Sequence, residues 1–243
     1  MIQNNLIFDI GLHKGFDANF YLRKGFRVIG VEAREDLCEI ARQNNSQYIA
    51  NGRLEIVSGA LYDVSGASVE FFINDHKDDW GSLYRGAAEQ DGSDARQVSV
   101  TTVSLTDLFQ KFGIPYYIKC DIEGGDALFV EQLLHSDRRP TYVSIEATSP
   151  DDIAKLRACG YNSFQVVNQH LNPAIELPYP ALEGTYIETQ FTLEMSGPFG
   201  RELPAERWND FRTTIKRLLD WYDLRDRDIT LAVGWLDIHA RVA

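Results

Sequence analysis

The segment Leu6-Ile-Phe-Asp-Ile-Gly-Leu-His-Lys-Gly15 constrains the fold more than any other part of the chain. An apolar run reaches Asp9, turns through Gly11 and Gly15, and flows into a helical pattern. A second apolar run, Val28-Ile-Gly-Val31, then ends at Glu32. Strand, glycine turn, helix, strand and terminal acid make a βαβ nucleotide-binding half. The glycines admit a ligand close to the backbone, where Cβ atoms would block it. Glu32 follows the turn at roughly the 20-residue spacing expected of a ribose acceptor.

The glycines are spaced G-x-x-x-G and not G-x-G-x-x-G, so the turn lacks the close packing that a dinucleotide pyrophosphate needs. A wider turn opened by Asp9 suits a ligand with an amino-acid end, such as S-adenosylmethionine. Asp9 would accept from its ammonium, and free backbone N–H groups would hold its carboxylate. The bland alternative is an ordinary α/β turn whose glycines only ease helix–strand packing.

The chain has 243 residues, enough for one large domain with an insertion. Its formal charge, 24 − 36 = −12, carries no electrostatic footprint for nucleic acid or an anionic membrane. No apolar run approaches the length of a membrane span, and Met1-Ile-Gln-Asn-Asn5 leads into the first strand with no signal-peptide pattern. Cys38, Cys120 and Cys159 have no metal-ligand or C-x-x-C spacing, which fits a reducing cytoplasm. Nothing in the pattern addresses oligomeric state.

Alternation and breakers predict strands at 5–10, 27–32, 54–57, 98–103, 116–120, 142–145 and 163–167, with helices at about 15–24, 35–44, 105–112 and 125–135. Pro150 marks the start of another helix. Val69-Glu-Phe-Phe-Ile73 reads as an antiparallel addition to the sheet, and 74–97 as a long polar loop. Trp208, Phe211, Ile215, Leu218 and Tyr222 form one stripe, predicting a helix over 205–222. A last strand is expected at 235–242.

Ligands of an open α/β sheet bind at the carboxyl ends of its parallel strands. Those ends carry Asp9, Glu32, Gly59, Asp121 and Glu146, four carboxylates among five. Carboxylates avoid burial unless paired or functional, so the set points to a site for a cation and several hydroxyls. Helix capping is the alternative for any one of them. Asp121-Ile-Glu-Gly-Gly125 is the most specific short motif.

Together with the first turn, that motif resembles the FkbM family of S-adenosylmethionine-dependent methyltransferases. Also matching are Val-Ile-Gly-Val-Glu-Ala33, Ser58-Gly-Ala-Leu-Tyr-Asp63 with Gly66, Thr102-Val-Ser-Leu-Thr-Asp-Leu108, Ile-Lys-Cys-Asp-Ile-Glu-Gly124 and Ser-Ile-Glu146, in order across roughly 6–167. The resemblance implies a class I methyltransferase fold: a Rossmann-like, mostly parallel seven-stranded sheet with an antiparallel C-terminal strand. It implies O-methylation of a hydroxyl on a sugar, glycan or natural product. Cofactor contacts are implied at Asp9, Gly11, Lys14, Gly15, Glu32, Ala33, Gly59, Ala60, Asp121 and Glu123. The sequence departs from the family where Gly124-Gly125-Asp126 replaces the usual Gly-Ala-Glu.

Within that frame, residues 1–170 and 231–243 form the cofactor-binding core, and 171–230 a substrate-cap insertion in a single domain. Asp121 is the first choice of general base, followed by Glu146 and His239. Trp80, Ser82, Asn168, Gln169, Trp235 and Asp237 are the candidate acceptor contacts. Asp121, Glu123 and Glu146 offer the oxygen ligands that magnesium uses, but no spacing demands a metal, so a divalent metal is not favoured and none is assigned. The rival readings are a non-catalytic methyltransferase-like scaffold and an NAD-dependent oxidoreductase.

Overall fold

The computed structural model describes residues 1–146 and 149–242. The chain runs through β1 (Ile2–Ile10), α1 (Phe16–Arg23), β2 (Arg27–Glu32), α2 (Glu35–Asn44), α3 (Ser46–Ala50), β3 (Leu54–Ser58), β4 (Ala60–Leu61) and β5 (Ser68–Asn74). It continues through α4 (Arg85–Ala88), β6 (Ala95–Val103), α5 (Leu105–Phe112), β7 (Ile114–Cys120), α6 (Asp126–His135), β8 (Tyr142–Glu146), α7 (Pro150–Ala158) and β9 (Ser163–Asn168). Then come α8 (Phe211–Arg227) and β10 (Leu236–Arg241). The main sheet has seven strands in the order β3-β2-β1-β7-β8-β10-β9, with β10 antiparallel to both neighbours.

Period-two alternation sends the side chains of each strand to opposite layers. Leu6, Phe8 and Ile10 of β1, with Ile118 and Cys120 of β7, pack against α5, α6, α7 and α8. Ile7 and Tyr117 point to the other face, against α1, Ala41 of α2 and Tyr48 of α3. That face is completed by irregular chain from the 171–230 segment. Phe191 and Phe199 are buried beside Phe20 and Tyr21, and Lys24 donates to Glu202 at 2.6 Å in a fully buried pair. Burying a Phe contributes about 1.5–3 kcal/mol, so this part of the segment is built into the core.

Local signals account for the helix ends. Ser104 accepts from the Asp107 N–H at 3.2 Å to start α5, and Ser149 with Pro150 starts α7. Three expectations need correction. The amphipathic helix spans Phe211–Arg227 and not 205–222, because Asp210 caps it by accepting from Thr213 at 2.7 Å. Trp208 therefore leaves the stripe and packs beside Tyr142 on the opposite face of the sheet. β5 does not extend the main sheet; it pairs with β6 in a three-stranded sheet of order β4-β6-β5. The polar stretch 74–97 contains α4 and the start of β6. No helix among the described residues is long and apolar enough to cross a membrane.

Candidate functional site

A cavity of about 1110 Å³ opens across the carboxyl ends of the parallel strands. β1 delivers the turn that floors it. Gly11 adopts φ 82°, and a Cβ there would lie 1.7 Å from the Asp121 carbonyl oxygen, so only glycine lets the turns after β1 and β7 touch. Gly15, at φ 76°, caps α1 and packs against Asn45, away from the cavity wall. Among the described residues, the only non-glycines with left-handed backbone are His13 (φ 51°) and Glu123 (φ 48°), and both line the cavity. Strain of this kind gathers at functional sites.

At the end of β2, Glu32 accepts the His13 N–H at 2.8 Å and the Arg34 N–H at 2.9 Å. Burial raises its pKa, and these two bonds oppose the rise. Ala33, Gly59 and Ala60 continue the same wall, with Phe71 and Leu83 beyond them. Lys14 instead pairs with Asp78 at 2.9 Å and Glu194 at 3.2 Å, off the wall.

Asp9 lies beneath the cavity and is fully buried. Parallel register sets it beside Lys119 of β7, whose Nζ stands 3.5 Å from Asp9, 3.5 Å from Asp121 and 3.8 Å from Asp17, and donates to the Gly11 carbonyl at 2.9 Å. Burial pushes the Asp9 carboxyl up to about 7, only partly offset by Lys119. Burial alone would lower the lysine, but Asp9, Asp121 and Asp17 raise it well above its ordinary value. The ammonium partner expected from a ligand is thus supplied to Asp9 by the protein. Lys119 and Asp17 were not among the expected site residues. A lone lysine inside the apolar run Tyr117-Ile-Lys-Cys120 was the available signal. Asp17 accepts the Ser196 backbone N–H at 2.9 Å and its hydroxyl at 3.0 Å, tying residues 195–196 to the cavity wall.

On the other side, Asp121, Glu123, Glu146, Trp80, Gln169, Trp235 and Asp237 all line the cavity. Antiparallel register places Asp237 directly opposite Glu146. Burial, then the charge of Asp121, raises Glu123 to about 9 and Glu146 to about 7, and holds Asp126 and Asp237 well above the carboxylate range. Gln169 is buried, and its Nε2 has no partner among the described residues.

Three expected contacts lie off the wall. Ser82 is buried, donating to the Glu123 carbonyl at 2.6 Å and accepting from the Tyr84 N–H at 3.0 Å, so it holds the loop. Asn168 accepts from the His170 N–H at 3.0 Å and donates to the Val233 carbonyl at 2.9 Å. His239 is stacked beside Tyr117 within the sheet, and burial lowers its pKa to about 3.

A native pKa raised to about 7 from 4.5 has a definite linkage sign for Glu146. Its stabilising contribution is complete below the unfolded value and is lost as pH rises through about 7. Glu146→Gln stays neutral. In chelating buffer at pH 8 it is expected to be more stable than wild type by up to about 3 kcal/mol, with the difference gone by about pH 4. Thermal unfolding at both pH values reads this, and equal curves at pH 8 would show a solvated carboxylate.

A seven-stranded sheet of this order, with one antiparallel strand near its edge and a glycine turn, ribose-spaced acid and acidic cavity at the strand ends, defines a class I S-adenosylmethionine-dependent methyltransferase. The Methyltransferase FkbM domain matches residues 9–163, and the chain belongs to that family. Among solved structures, the chain is similar to a precorrin-6y C5,15-methyltransferase from Geobacter metallireducens, at 9% identity and TM-score 0.42 over 100% of this chain and 82% of that one. It is similar to an S-adenosylmethionine-dependent O-methyltransferase from Thermotoga maritima at 8% identity and TM-score 0.40, over 100% and 61%. A tRNA (uracil-54, C5)-methyltransferase from Pyrococcus abyssi, in complex with S-adenosyl-L-homocysteine, is 16% identical with TM-score 0.38, over 69% and 31%. No curated protein matches the sequence.

Proposed function

We propose that the chain transfers a methyl group from S-adenosylmethionine to a hydroxyl of a sugar, glycan or other natural product. The observation that carries this reading is the juxtaposition of Asp121, Glu146 and Asp237 on one wall with the Gln169 Nε2, which has no partner among the described residues. Such an oxygen-rich pocket suits a polyhydroxylated acceptor, which needs both hydrogen-bond partners and a base. The work is assigned to the cytoplasm, where its three buried free thiols stay reduced.

The residues fit the cofactor. Glu32 keeps lone pairs for ribose hydroxyls beyond its two backbone bonds, and Ala33, Ala60, Phe71 and Leu83 offer an apolar surface to a base. Asp17 and Asp121 give a cationic ligand its counter-charges, while the Gly11 turn permits close approach. Asp9 acts one layer below, and Lys119, on the cavity wall, holds Asp121 and the turn in place. When bound, S-adenosylmethionine supplies an electrophilic methyl group, the acceptor O–C bond forming as the C–S bond breaks.

A hydroxyl is a poor nucleophile until its proton leaves. Asp121, with 38% of its side chain accessible, is assigned the proton, and Glu146 is the next choice. Trp80 and Trp235 help to exclude water from the pocket. Residues 193–196 and Arg225 bring the 171–230 segment to the wall, and acceptor binding is assigned to them.

Calorimetry tests the cofactor half. S-adenosylmethionine should bind and NAD should not; the reverse, or no binding of either, sinks the reading. Glu32→Ala should weaken S-adenosylmethionine about ten- to a hundredfold, the equivalent of a charge-assisted hydrogen bond of about 1.5–3 kcal/mol. An unchanged affinity in a folded variant counts against that placement. A one-methyl mass shift across a panel of hydroxylated acceptors tests transfer, and binding without any transfer favours the scaffold reading.

A further inference from the structure

The acceptor side of the cavity gathers more carboxyl groups than the protein supplies with basic partners. Oxygens of Asp121, Glu123 and Glu146 all lie within 4.8 Å of one another. Asp237 stands opposite Glu146 across β8 and β10 and lines the same cavity at 6% exposure. Among the described residues, no hydrogen-bond donor and no salt bridge reaches the Asp237 carboxylate. Asp126, buried just beneath, accepts from the backbone N–H groups of Glu146 at 3.1 Å and Ile122 at 3.4 Å.

The cations nearby are already shared. Lys119 stands 3.5 Å from Asp121 and its charge reaches Asp237, but it also serves Asp9, Asp17 and the Gly11 carbonyl. Arg225 donates to the carbonyls of Ala232 and Gly234. Among the described residues, no salt bridge involves Glu123, Asp126, Glu146 or Asp237. A buried carboxyl without a basic partner takes up a proton or a cation, and Asp237, which has no such partner among the described residues, lines the same cavity opposite Glu146.

We propose that Asp121, Glu123 and Glu146 bind a divalent cation, with the unpartnered Asp237 carboxylate completing its negative surroundings. The donors are all carboxylate oxygens, with no sulfur or imidazole among them, which selects a hard ion such as magnesium, manganese or calcium. Metal–oxygen bonds of about 2.0–2.6 Å let one ion span oxygens separated as these are. A lone ammonium carries one positive charge and would leave two of the three carboxylates uncompensated, whereas a divalent ion meets more of the charge of three oxygens within 4.8 Å of one another. The cation would sit on the acceptor side of the cavity, where it orients an acceptor hydroxyl and lowers its pKa. Asp121 can ligate through one oxygen and still receive a proton on the other.

This deepens the methyltransferase reading and rests on it for the role of the ion, but the binding test stands apart from it. The full chain, freed of metal by chelator, is titrated with Mn²⁺ and followed by electron paramagnetic resonance and calorimetry. One Mn²⁺ per chain is expected, displaced by Mg²⁺ or Ca²⁺. Glu123→Gln and Glu146→Gln should each weaken it at least tenfold, Asp237→Asn less, and Asp75→Asn, at an exposed carboxylate on the cavity rim paired with Arg96 at 2.8 Å, not at all.

Tb³⁺ emission sensitised by the cavity tryptophans Trp80 and Trp235 tests the wild-type chain alone, should a variant misfold. No saturable Mn²⁺ binding, no sensitised Tb³⁺ emission, or affinity untouched by both Gln substitutions overturns the proposal. Calorimetry with S-adenosylmethionine in chelator separates the two readings. Cofactor binding without Mn²⁺ binding removes the metal alone, and no cofactor binding removes the methyltransferase reading.

Discussion

Lys119→Met is expected to destabilise the protein by about 3–5 kcal/mol, the cost of leaving buried carboxylates without their partner. The lysine stands within 3.5 Å of both Asp9 and Asp121 and 3.8 Å of Asp17, and it holds the Gly11 carbonyl at 2.9 Å. Methionine fills the volume, so the loss reports charge and hydrogen bonding more than packing. For a chain of this size the melting temperature should fall by roughly 10 °C. The penalty has a pH signature. Asp9 already titrates near about 7, so without the lysine it protonates at low pH and the loss is smaller at pH 5 than at pH 8. Asp9→Asn in the same chain should recover part of the stability, because it removes the second buried charge. Urea unfolding of the single and double variants measures this. A loss under 1 kcal/mol at pH 8 would mean that the buried carboxylates do not depend on this lysine.

Asp121→Asn is expected to lower methyl transfer by about 10²–10⁴-fold, the usual range for a lost general base. The substitution keeps the shape and the polar contact while removing both basicity and charge. With its side chain 38% accessible, Asp121 is the least buried of the carboxylates around Lys119, so the fold should tolerate the change. The loss should appear in kcat more than in stability. If turnover stays near the wild-type level, the base is Glu146. The same variant should weaken Mn²⁺, because Asp121 is one of the three proposed ligands. Lost turnover with unchanged Mn²⁺ affinity would assign Asp121 to the proton alone.

Much of the architecture was legible because its signals are local. The glycine turn after β1 and the carboxylates Glu32, Asp121 and Glu146 follow from period-two strands that end where apolar runs end. The family motifs across the first two-thirds of the chain have the same local character. The stripe of α8 was visible as well, although its start was not, since the cap at Asp210 competes with an apparently periodic Trp208 that packs across the sheet. Ser82 and Asn168 looked like acceptor contacts because polar residues beside a site carry no mark of direction. In the fold they spend their hydrogen bonds on neighbouring backbone.

By itself the sequence determined the βαβ start, the parallel sheet and the presence of acids at its ligand-binding edge, because each depends on spacing within a few residues. The tertiary structure decided which of those acids meet. Register across the sheet sets Asp9, beneath the cavity, against Lys119 on its floor, and Asp237 against Glu146 on its wall. A one-residue slip would send either partner to the opposite face. Burial decided the rest: it separates Asp9, enclosed beneath the cavity with a lysine, from Asp237, which lines the cavity with no hydrogen-bond or salt-bridge partner among the described residues. Desolvation and pairing arise only when distant strands come together, so no local pattern announces them.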